Sequence, residues 1–366
     1  MSMPKGFLAA GVACGIKKSG KSDLAMIFSE VPASAAAVFT TNQVKAAPII
    51  VSIKHIRRGM AQAIVANAGN ANCWTGVRGL RDAFEMASLT AAQLGIDPEK
   101  VLVTSTGSIG HPLPMDKVCS GIKAASLKLS KEGWRDAARA IMTTDLTEKN
   151  ITVKVGKYSV SGIAKGSGMI APTMATMHAF VATDAAVDRQ TLQQVLKGAC
   201  EKSFNMVSVD NCMSTNDCVF ILANGMSGVK IKGDAAVKRF AQAVEKVCVY
   251  LAKEIARDGE GATKLLEIRA KGARNSADAK AAVKALVGSF LLKAAVYGKD
   301  RNFGRILQAL GATRIVVNWE KFKWSWTSGK TQDVITVDLK EGKAEAVGWG
   351  CDLTEGYVKI NADYHT

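Results

Sequence analysis

The pattern of apolar and polar residues along the chain alternates between the spacing of β-strands and that of α-helices. Short apolar runs at 62–68 and 101–106 each end at a glycine, which is typical of buried strands. Apolar residues recur every three or four positions over 78–94 and over 234–257, and Gly259 follows the second run as a stop signal. The sequence therefore predicts a mixed α/β chain.

The C-terminal third adds one helix and three strands to this prediction. The helix is expected to begin at Ser276, and the strands are expected at 315–318, 334–339 and 344–348. No clear linker, internal repeat or low-complexity tract interrupts the alternation. The strands are numerous enough for more than one sheet.

The N-terminal segment has features of a signal peptide but is interpreted as a strand. Lys5 precedes an apolar run at 7–16, which is short, interrupted by glycine and followed at once by Lys17 and Lys18. No apolar stretch of the sequence approaches the length that crosses a membrane. We therefore expect a cytoplasmic protein that does not associate with membranes.

The stretch 15–22 fits the phosphate-binding pattern G-x-x-x-x-G-K-S. That loop binds phosphates at the junction between a strand and a helix. Here the following apolar run, 23–28, soon reaches Pro32 and favours a strand over a helix. The pattern is therefore interpreted as a glycine hairpin between two strands.

Composition and charge exclude several classes of protein. The 366 residues are 48% hydrophobic and 22% charged, which is typical of a globular chain. The eight cysteines are scattered without a Cys-x-x-Cys pair, so we expect a reduced compartment and no metal site. Lys and Arg outnumber Asp and Glu by 48 to 32, but they are spread along the chain. The net charge therefore indicates a solvated surface that favours carboxylate-bearing substrates more than nucleic acid.

The glycine-rich segment 164–180 is the most unusual part of the chain. In it a small residue, Ala175, precedes Thr176 in a bulky run that follows Lys165 and flexible glycines. The Thr176 hydroxyl could attack the Ala175 carbonyl in an N→O acyl shift. The α-amine released by cleavage, with a pKa of about 7.7–8.0, could then serve as base for its own hydroxyl. From composition alone, a glycine loop that enters a structural strand is the simpler interpretation.

A series of short motifs runs along nearly the whole chain. They occupy 23–27, 37–42, 67–72, 105–110, 142–145, 165–177, 208–210, 214–217, 258–264, 293–298 and 361–366. One such motif would be a weak signal, but this set resembles, in the same order, the signatures of the ornithine acetyltransferase family, also called glutamate N-acetyltransferase. The segment 165–177 resembles the family's self-cleavage motif.

The resemblance implies roles for individual residues. Thr176 resembles the nucleophile, and Ala175 would become the last residue of the first piece. Thr106 and Gly107 match the oxyanion hole, in which a hydroxyl and a backbone N–H hold negative charge. The positions that match substrate contacts are Thr143, Lys165, Thr176, Glu260, Asn361 and Thr366. Thr143 is chosen over its neighbour Thr144. Without the resemblance, Lys165 would be taken for a surface lysine and Glu260 for an acid that ends a helix.

The resemblance also implies a fold and a reaction. The fold is an αββα-type sandwich, cut into an α chain, 1–175, and a β chain, 176–366, which assemble as an α2β2 heterotetramer. Thr176 takes the acetyl group of N-acetyl-L-ornithine and passes it to L-glutamate, in the acetyl cycle of arginine biosynthesis. No metal or organic cofactor is required. Some members also accept acetyl-CoA as a donor, and the sequence leaves this point open.

Two alternatives remain open from the sequence. A self-processing aminopeptidase or amidase of similar architecture would use water in place of glutamate. A basic nucleic-acid-binding protein would stay uncut and bind DNA or RNA in a salt-sensitive way. Departures from the family pattern at 211–213, 299–303 and 319–326 concern substrate preference, because the nucleophile, oxyanion and terminal motifs are intact.

Overall fold

Two sheets form the framework of the protein. The computed structural model describes residues 3–171 and 177–362. Within these residues the strands are β1 (Phe7–Val12), β2 (Leu24–Phe39), β3 (Met60–Asn70), β4 (Val101–Ser108), β5 (Lys149–Val155), β6 (Tyr158–Lys165), β7 (His178–Thr183), β8 (Val207–Ser208), β9 (Cys218–Ala223), β10 (Leu265–Ala273), β11 (Lys323–Ser328), β12 (Gln332–Asp338) and β13 (Ala344–Cys351). The first sheet has the order β4-β3-β2-β9-β7-β6-β5, with β1 beside β2, and the second has the order β11-β12-β10-β13-β8.

Helices cover these sheets. The described residues form α1 (Ala47–His55), α2 (Gly76–Leu94), α3 (Met115–Leu127), α4 (Trp134–Ala140), α5 (Arg189–Glu201), α6 (Asp234–Arg257), α7 (Ser276–Val287), α8 (Phe290–Tyr297), α9 (Phe303–Gly311) and α10 (Glu355–Ala362). None of them is long and apolar enough to cross a membrane.

Helix α6 joins the two sheets into one core. It packs against β5 and β6 of the first sheet and against β10 and β13 of the second. Its apolar stripe, which includes Phe240, Val244 and Leu251, is fully buried. Each such side chain stabilises the fold by about 1.5–3 kcal/mol relative to exposure. The amphipathic spacing of α6 thus secures the relative placement of the sheets.

Strand β2 changes neighbours at Pro32. Its first half pairs with β1 and β3, the pairing with β3 resumes at Ala33 and Ser34, and Ser34–Phe39 pairs with β9. The pairing with β3 shifts register between Phe28 and Ala33, where proline, which has no N–H to donate, interrupts the ladder. The sheet curls, so that Thr104 of β4 reaches the start of β7, with 3.1 Å between its Oγ1 and His178 Nε2. This curl places the end of β4 against the ends of distant strands.

Most of the expected elements are present. The runs at 62–68 and 101–106 lie in β3 and β4, and the expected helices correspond to α2, α6 and α7. The strands expected at 334–339 and 344–348 correspond to β12 and β13. The glycine hairpin is also confirmed, because β1 and β2 are antiparallel on either side of it. The mixed α/β architecture with two sheets is therefore as predicted.

The strand predicted at 315–318 is wrong. One backbone hydrogen bond joins this stretch to the end of the second sheet, from Asn318 N–H to the Leu339 carbonyl at 3.0 Å. Both sides of β12 are already occupied, by β10 and by β11. The short apolar run therefore has the composition of a strand but joins no sheet, since β12, beside which it lies, is already paired on both sides.

Candidate active site

A cavity of about 800 Å³ lies where the end of β4 meets the end of β6. Every described residue of the sequence-based site lines it, namely Thr106, Gly107, Thr143, Lys165, Glu260 and Asn361. These residues come from β4, β6, α10 and the loops around them. The fold thus brings together residues that are far apart along the chain.

Three other expected site residues, Ala175, Thr176 and Thr366, lie outside the described residues. Ala171 and Met177, the described residues on either side of 172–176, are both buried.

Lys165 and Thr106 are in contact at the floor of the cavity. Their side chains are almost completely buried, and Lys165 Nζ lies 3.4 Å from Thr106 Oγ1. Burial lowers the pKa of Lys165, and the neighbouring carboxylate of Asp145 opposes this effect. Lys165 can therefore donate a hydrogen bond beside the expected oxyanion position, and it gives up its proton more readily than a surface lysine.

Gly107 occupies a position that only glycine can take. Its φ is +133°, and a Cβ there would lie 2.3 Å from the carbonyl carbon of Gly69 in β3. A larger residue would push β3 and β4 apart at the cavity. The close approach fixes the Gly107 backbone next to Thr106, as an oxyanion hole requires.

A buried ion cluster lies behind Lys165. Lys149 Nζ is 2.7 Å from Asp145 Oδ1 and 2.5 Å from Asp258 Oδ2. Although burial acts to raise the pKa of Asp145, the ammonium groups of Lys149 and Lys165 outweigh it and hold that pKa below its usual value. Asp145 therefore stays ionised and also accepts from Thr143 N–H at 3.0 Å.

Glu260 carries the negative charge of the cavity. Thr144 Oγ1 donates to Glu260 Oε1 at 2.7 Å, and Asn361 Nδ2 donates to Oε2 at 2.8 Å. Both Thr143 and Thr144 line the cavity, but the Thr144 hydroxyl is already bonded to the protein. The arrangement places one anion opposite the cation of Lys165, which suits an amino-acid ligand.

Three aspartate side chains hold the backbone on either side of residues 172–176. Asp145 accepts from Gly166 N–H at 2.7 Å, and Asp217 accepts from Met177 N–H at 2.8 Å. Asp210 accepts from Met169 N–H at 2.6 Å and from Ile170 N–H at 2.8 Å. Sequence reasoning gave these aspartates no role, although each lies in a quoted motif. The available signal was an Asp among small polar residues, a setting typical of side chains that bind backbone N–H groups.

His178 and Asp217 lie buried beside the same segment. Burial, and then the ammonium of Lys165, lower the pKa of His178 to about 3. Burial raises the pKa of Asp217, whose second oxygen has no hydrogen-bond partner among the described residues. His178 is therefore neutral at physiological pH, so its ring can accept or donate a hydrogen bond without adding charge.

The glycine hairpin borders the cavity on another side. Ile16 and Lys18 line the cavity, and Asp23 holds the hairpin by accepting from Cys14 N–H at 2.7 Å and Lys17 N–H at 2.9 Å. Within residues 3–171 and 177–362, no group of three or more His, Cys, Asp or Glu side chains is placed to hold a metal ion.

Comparisons with known proteins identify the family of the chain. The family model described as "ArgJ family" matches residues 8–366. The chain is 48% identical to the arginine biosynthesis bifunctional protein ArgJ of Symbiobacterium thermophilum, over 100% of this chain and 98% of that protein. It is 47% identical to the protein of the same name from Caldanaerobacter subterraneus subsp. tengcongensis, with the same two coverages. Among solved structures, it is similar to ornithine acetyltransferase from Mycobacterium tuberculosis complexed with ornithine, at 41% identity, a TM-score of 0.45, and coverage of 48% of this chain and 93% of that chain. The chain belongs to the ArgJ family of arginine-biosynthesis acetyltransferases.

Proposed function

We propose that this protein transfers an acetyl group from N-acetyl-L-ornithine to L-glutamate through an acetyl ester on Thr176. The observation that carries the proposal is the cavity that gathers Thr106, Gly107, Lys165, Glu260 and Asn361. Full-length membership of the ArgJ family favours this transfer over the aminopeptidase and nucleic-acid-binding alternatives.

The reaction has two half-reactions at one nucleophile. The Thr176 hydroxyl oxygen bonds to the acetyl carbon of N-acetylornithine while its proton passes to the Thr176 α-amine. Thr106 and Gly107 stabilise the oxyanion, the C–N bond breaks, and ornithine leaves with that proton. The α-amine of glutamate then attacks the ester, which releases N-acetylglutamate and restores the threonine hydroxyl.

The charges of the cavity suit these substrates. Lys165 supplies a cation for a substrate carboxylate, and Glu260 supplies an anion for an ammonium group. Asn361 and, in our proposal, Thr143 and Thr366 complete the contacts. The relatives at 48% and 47% identity are named bifunctional, and we include acetyl-CoA as a second acetyl donor in the proposal.

Self-cleavage before Thr176 prepares the nucleophile. The two pieces, 1–175 and 176–366, would remain associated, because β6 of the first pairs with β7 of the second from Val160↔Thr183 to Lys165↔His178. We further propose that the product assembles as an α2β2 heterotetramer in the cytoplasm, without metal or organic cofactor.

Mass spectrometry of the purified protein tests the proposal. Without added protease, the wild type should give two pieces, 1–175 and 176–366, whereas Thr176→Ala should stay intact. N-acetylornithine alone should add one acetyl group to the second piece and release about one ornithine per site in a burst. Acetyl-CoA should do the same with release of CoA.

Steady-state kinetics provide the second arm of this test. Parallel double-reciprocal lines are expected when N-acetylornithine and glutamate are varied, since ornithine leaves before glutamate reacts. An intact wild-type chain in active material, or intersecting lines with no acetylated piece, would remove Thr176 from its role.

A further inference from the structure

A chain of hydroxyl groups runs behind Glu260. The Ser167 side chain is fully buried, and its Oγ lies 2.6 Å from Thr144 Oγ1. Thr144 Oγ1 in turn lies 2.7 Å from Glu260 Oε1. Ser167, Thr144 and Glu260 therefore form a continuous hydrogen-bonded series that ends at the wall of the cavity.

The direction of the protons in this series follows from chemistry. An ionised carboxylate has no proton to give, so Thr144 must donate to Glu260. A hydroxyl has a single proton, so the Thr144 oxygen can only accept from Ser167. Each hydroxyl thus points its proton toward Glu260, and the series as a whole stabilises the negative charge.

The Glu260 carboxylate is also fixed from its other sides. Asn361 Nδ2 donates to Oε2 at 2.8 Å, and Glu260 N–H donates to the Ser167 carbonyl at 2.8 Å. A Cβ on Gly168 would lie 2.2 Å from Oε2, so this position must be glycine for the carboxylate to lie where it does. The side chain therefore has little freedom to turn.

No cation of the described residues pairs with Glu260. It is only 7% exposed, yet none of the ion pairs within 4.0 Å among these residues includes it. A buried carboxylate without a cationic partner is costly unless a ligand supplies the charge. In the donor N-acetylornithine the α-nitrogen is a neutral amide, so the side-chain ammonium is the one cation available.

We propose that Thr144 and Ser167 are positioning residues that hold Glu260 toward the side-chain ammonium of the acetyl donor and so select a cationic donor. Thr144 acts through Glu260 and does not touch the substrate. This assignment rests on the proposed function, since it presumes N-acetylornithine as donor. Glutamate has no side-chain cation, so the second half-reaction should depend much less on the hydroxyl series.

The test compares N-acetylornithine with N-acetylnorvaline, which has the same carbon chain without the terminal amine. In self-cleaved Thr144→Val, the ratio of kcat/KM for the two donors should fall about tenfold, mainly through a higher KM for N-acetylornithine. Ser167→Ala should lower the ratio by about threefold, and Thr144→Ser, which keeps the hydroxyl, should retain it within about twofold. The rate at which glutamate removes the acetyl group from the enzyme should stay within about twofold.

Thr152→Val is the matched control. Thr152 Oγ1 lies 2.8 Å from Ser161 Oγ in an equivalent Thr–Ser pair between β5 and β6, outside the cavity. This variant should keep the wild-type donor ratio.

Two results would overturn the inference. One is an equal loss of activity toward both donors in Thr144→Val that Thr144→Ser does not restore. The other is an unchanged ratio in both Thr144→Val and Ser167→Ala. If Thr144→Val does not cleave itself, Ser167→Ala and Thr144→Ser decide the question. A wild type that is never acetylated by N-acetylornithine would instead refute the proposed function itself.

Discussion

Thr106 and Lys165 meet because each lies in the last residues of a buried strand, and the curl of the first sheet brings the ends of these two strands together. Lys165 is a buried cation whose pKa burial lowers, and Thr106 is a hydroxyl that it contacts at 3.4 Å. The contact limits the rotation of the Thr106 side chain. A hydroxyl held in place before the reaction can stabilise developing charge without reorganisation.

Thr106→Ala should therefore lower kcat by about 10²–10³-fold and change KM for N-acetylornithine little, because the proposed mechanism loses one of its two oxyanion donors. Steady-state kinetics on self-cleaved enzyme measure this, with intact mass as the check on cleavage. Thr106→Ser keeps the hydroxyl and should recover most of the activity. A normal kcat with a raised KM would assign Thr106 to substrate binding instead.

The described part of the segment that follows β6 is held by an aspartate from another part of the chain. Asp210 accepts two consecutive backbone N–H groups, those of Met169 and Ile170, and a hydroxyl from Tyr357 at 3.3 Å. Hydrogen bonds to an ionised acceptor are stronger than neutral ones. The backbone conformation at Met169 and Ile170 thus depends on a side chain that lies about forty positions away in sequence.

Asp210→Asn should slow self-cleavage about tenfold, because the amide NH₂ faces an N–H donor where an oxygen was and one hydrogen bond is lost. The half-time can be followed by intact mass after rapid purification. Asp188→Asn is a suitable control, since Asp188 also accepts a backbone N–H, from Thr191 at 3.0 Å, but at the exposed start of α5. Equal cleavage rates in the two variants would deny Asp210 this role.

Across the whole molecule, Lys149 connects the two pieces expected from cleavage. Its ammonium bonds Asp145, within residues 1–175, and Asp258, within residues 176–366. The Lys149 side chain is only 1% exposed, so water cannot take its place beside either carboxylate unless the structure opens locally. The cluster would therefore help to hold the two expected pieces together, and its Asp145 also fixes the position of Gly166.

Lys149→Met should lower the free energy of unfolding by about 3–5 kcal/mol, because it removes the ammonium that pairs with two buried carboxylates, those of Asp145 and Asp258. Chemical denaturation of the cleaved protein measures this change. Lys202→Met removes a lysine whose side chain is 62% exposed and pairs with Glu245, and it should cost at most about 1 kcal/mol. Similar losses of unfolding free energy in the two variants would show that the buried cluster stabilises the protein no more than a surface ion pair does.

Local sequence patterns were sufficient to predict those helices and strands in which buried residues recur at the period of the element itself. α6 and α2 were predictable because one face of each meets the core, and β3 and β4 because short apolar runs end at glycines. The prediction of a strand at 315–318 was wrong because the composition of a segment does not reveal whether the strand beside it has an unpaired edge. Motif order likewise supplied the described site residues, and all of them line one cavity.

The sequence determined the class of fold, the ArgJ family and the identity of the expected site residues, since these follow from local periodicity and from motifs read in order. It did not determine which polar groups pair inside the core. Three sets of contacts join residues more than twenty positions apart: the Lys149–Asp258 ion pair, the hydrogen bonds from Met169 and Ile170 to Asp210, and the hydroxyl series behind Glu260. Such contacts depend on the curl of β2 and on close backbone approach at Gly107 and Gly168. Only the tertiary structure decided them, because the cost of burying a charge depends on whether the fold places an opposite charge beside it or leaves it to pair with a ligand.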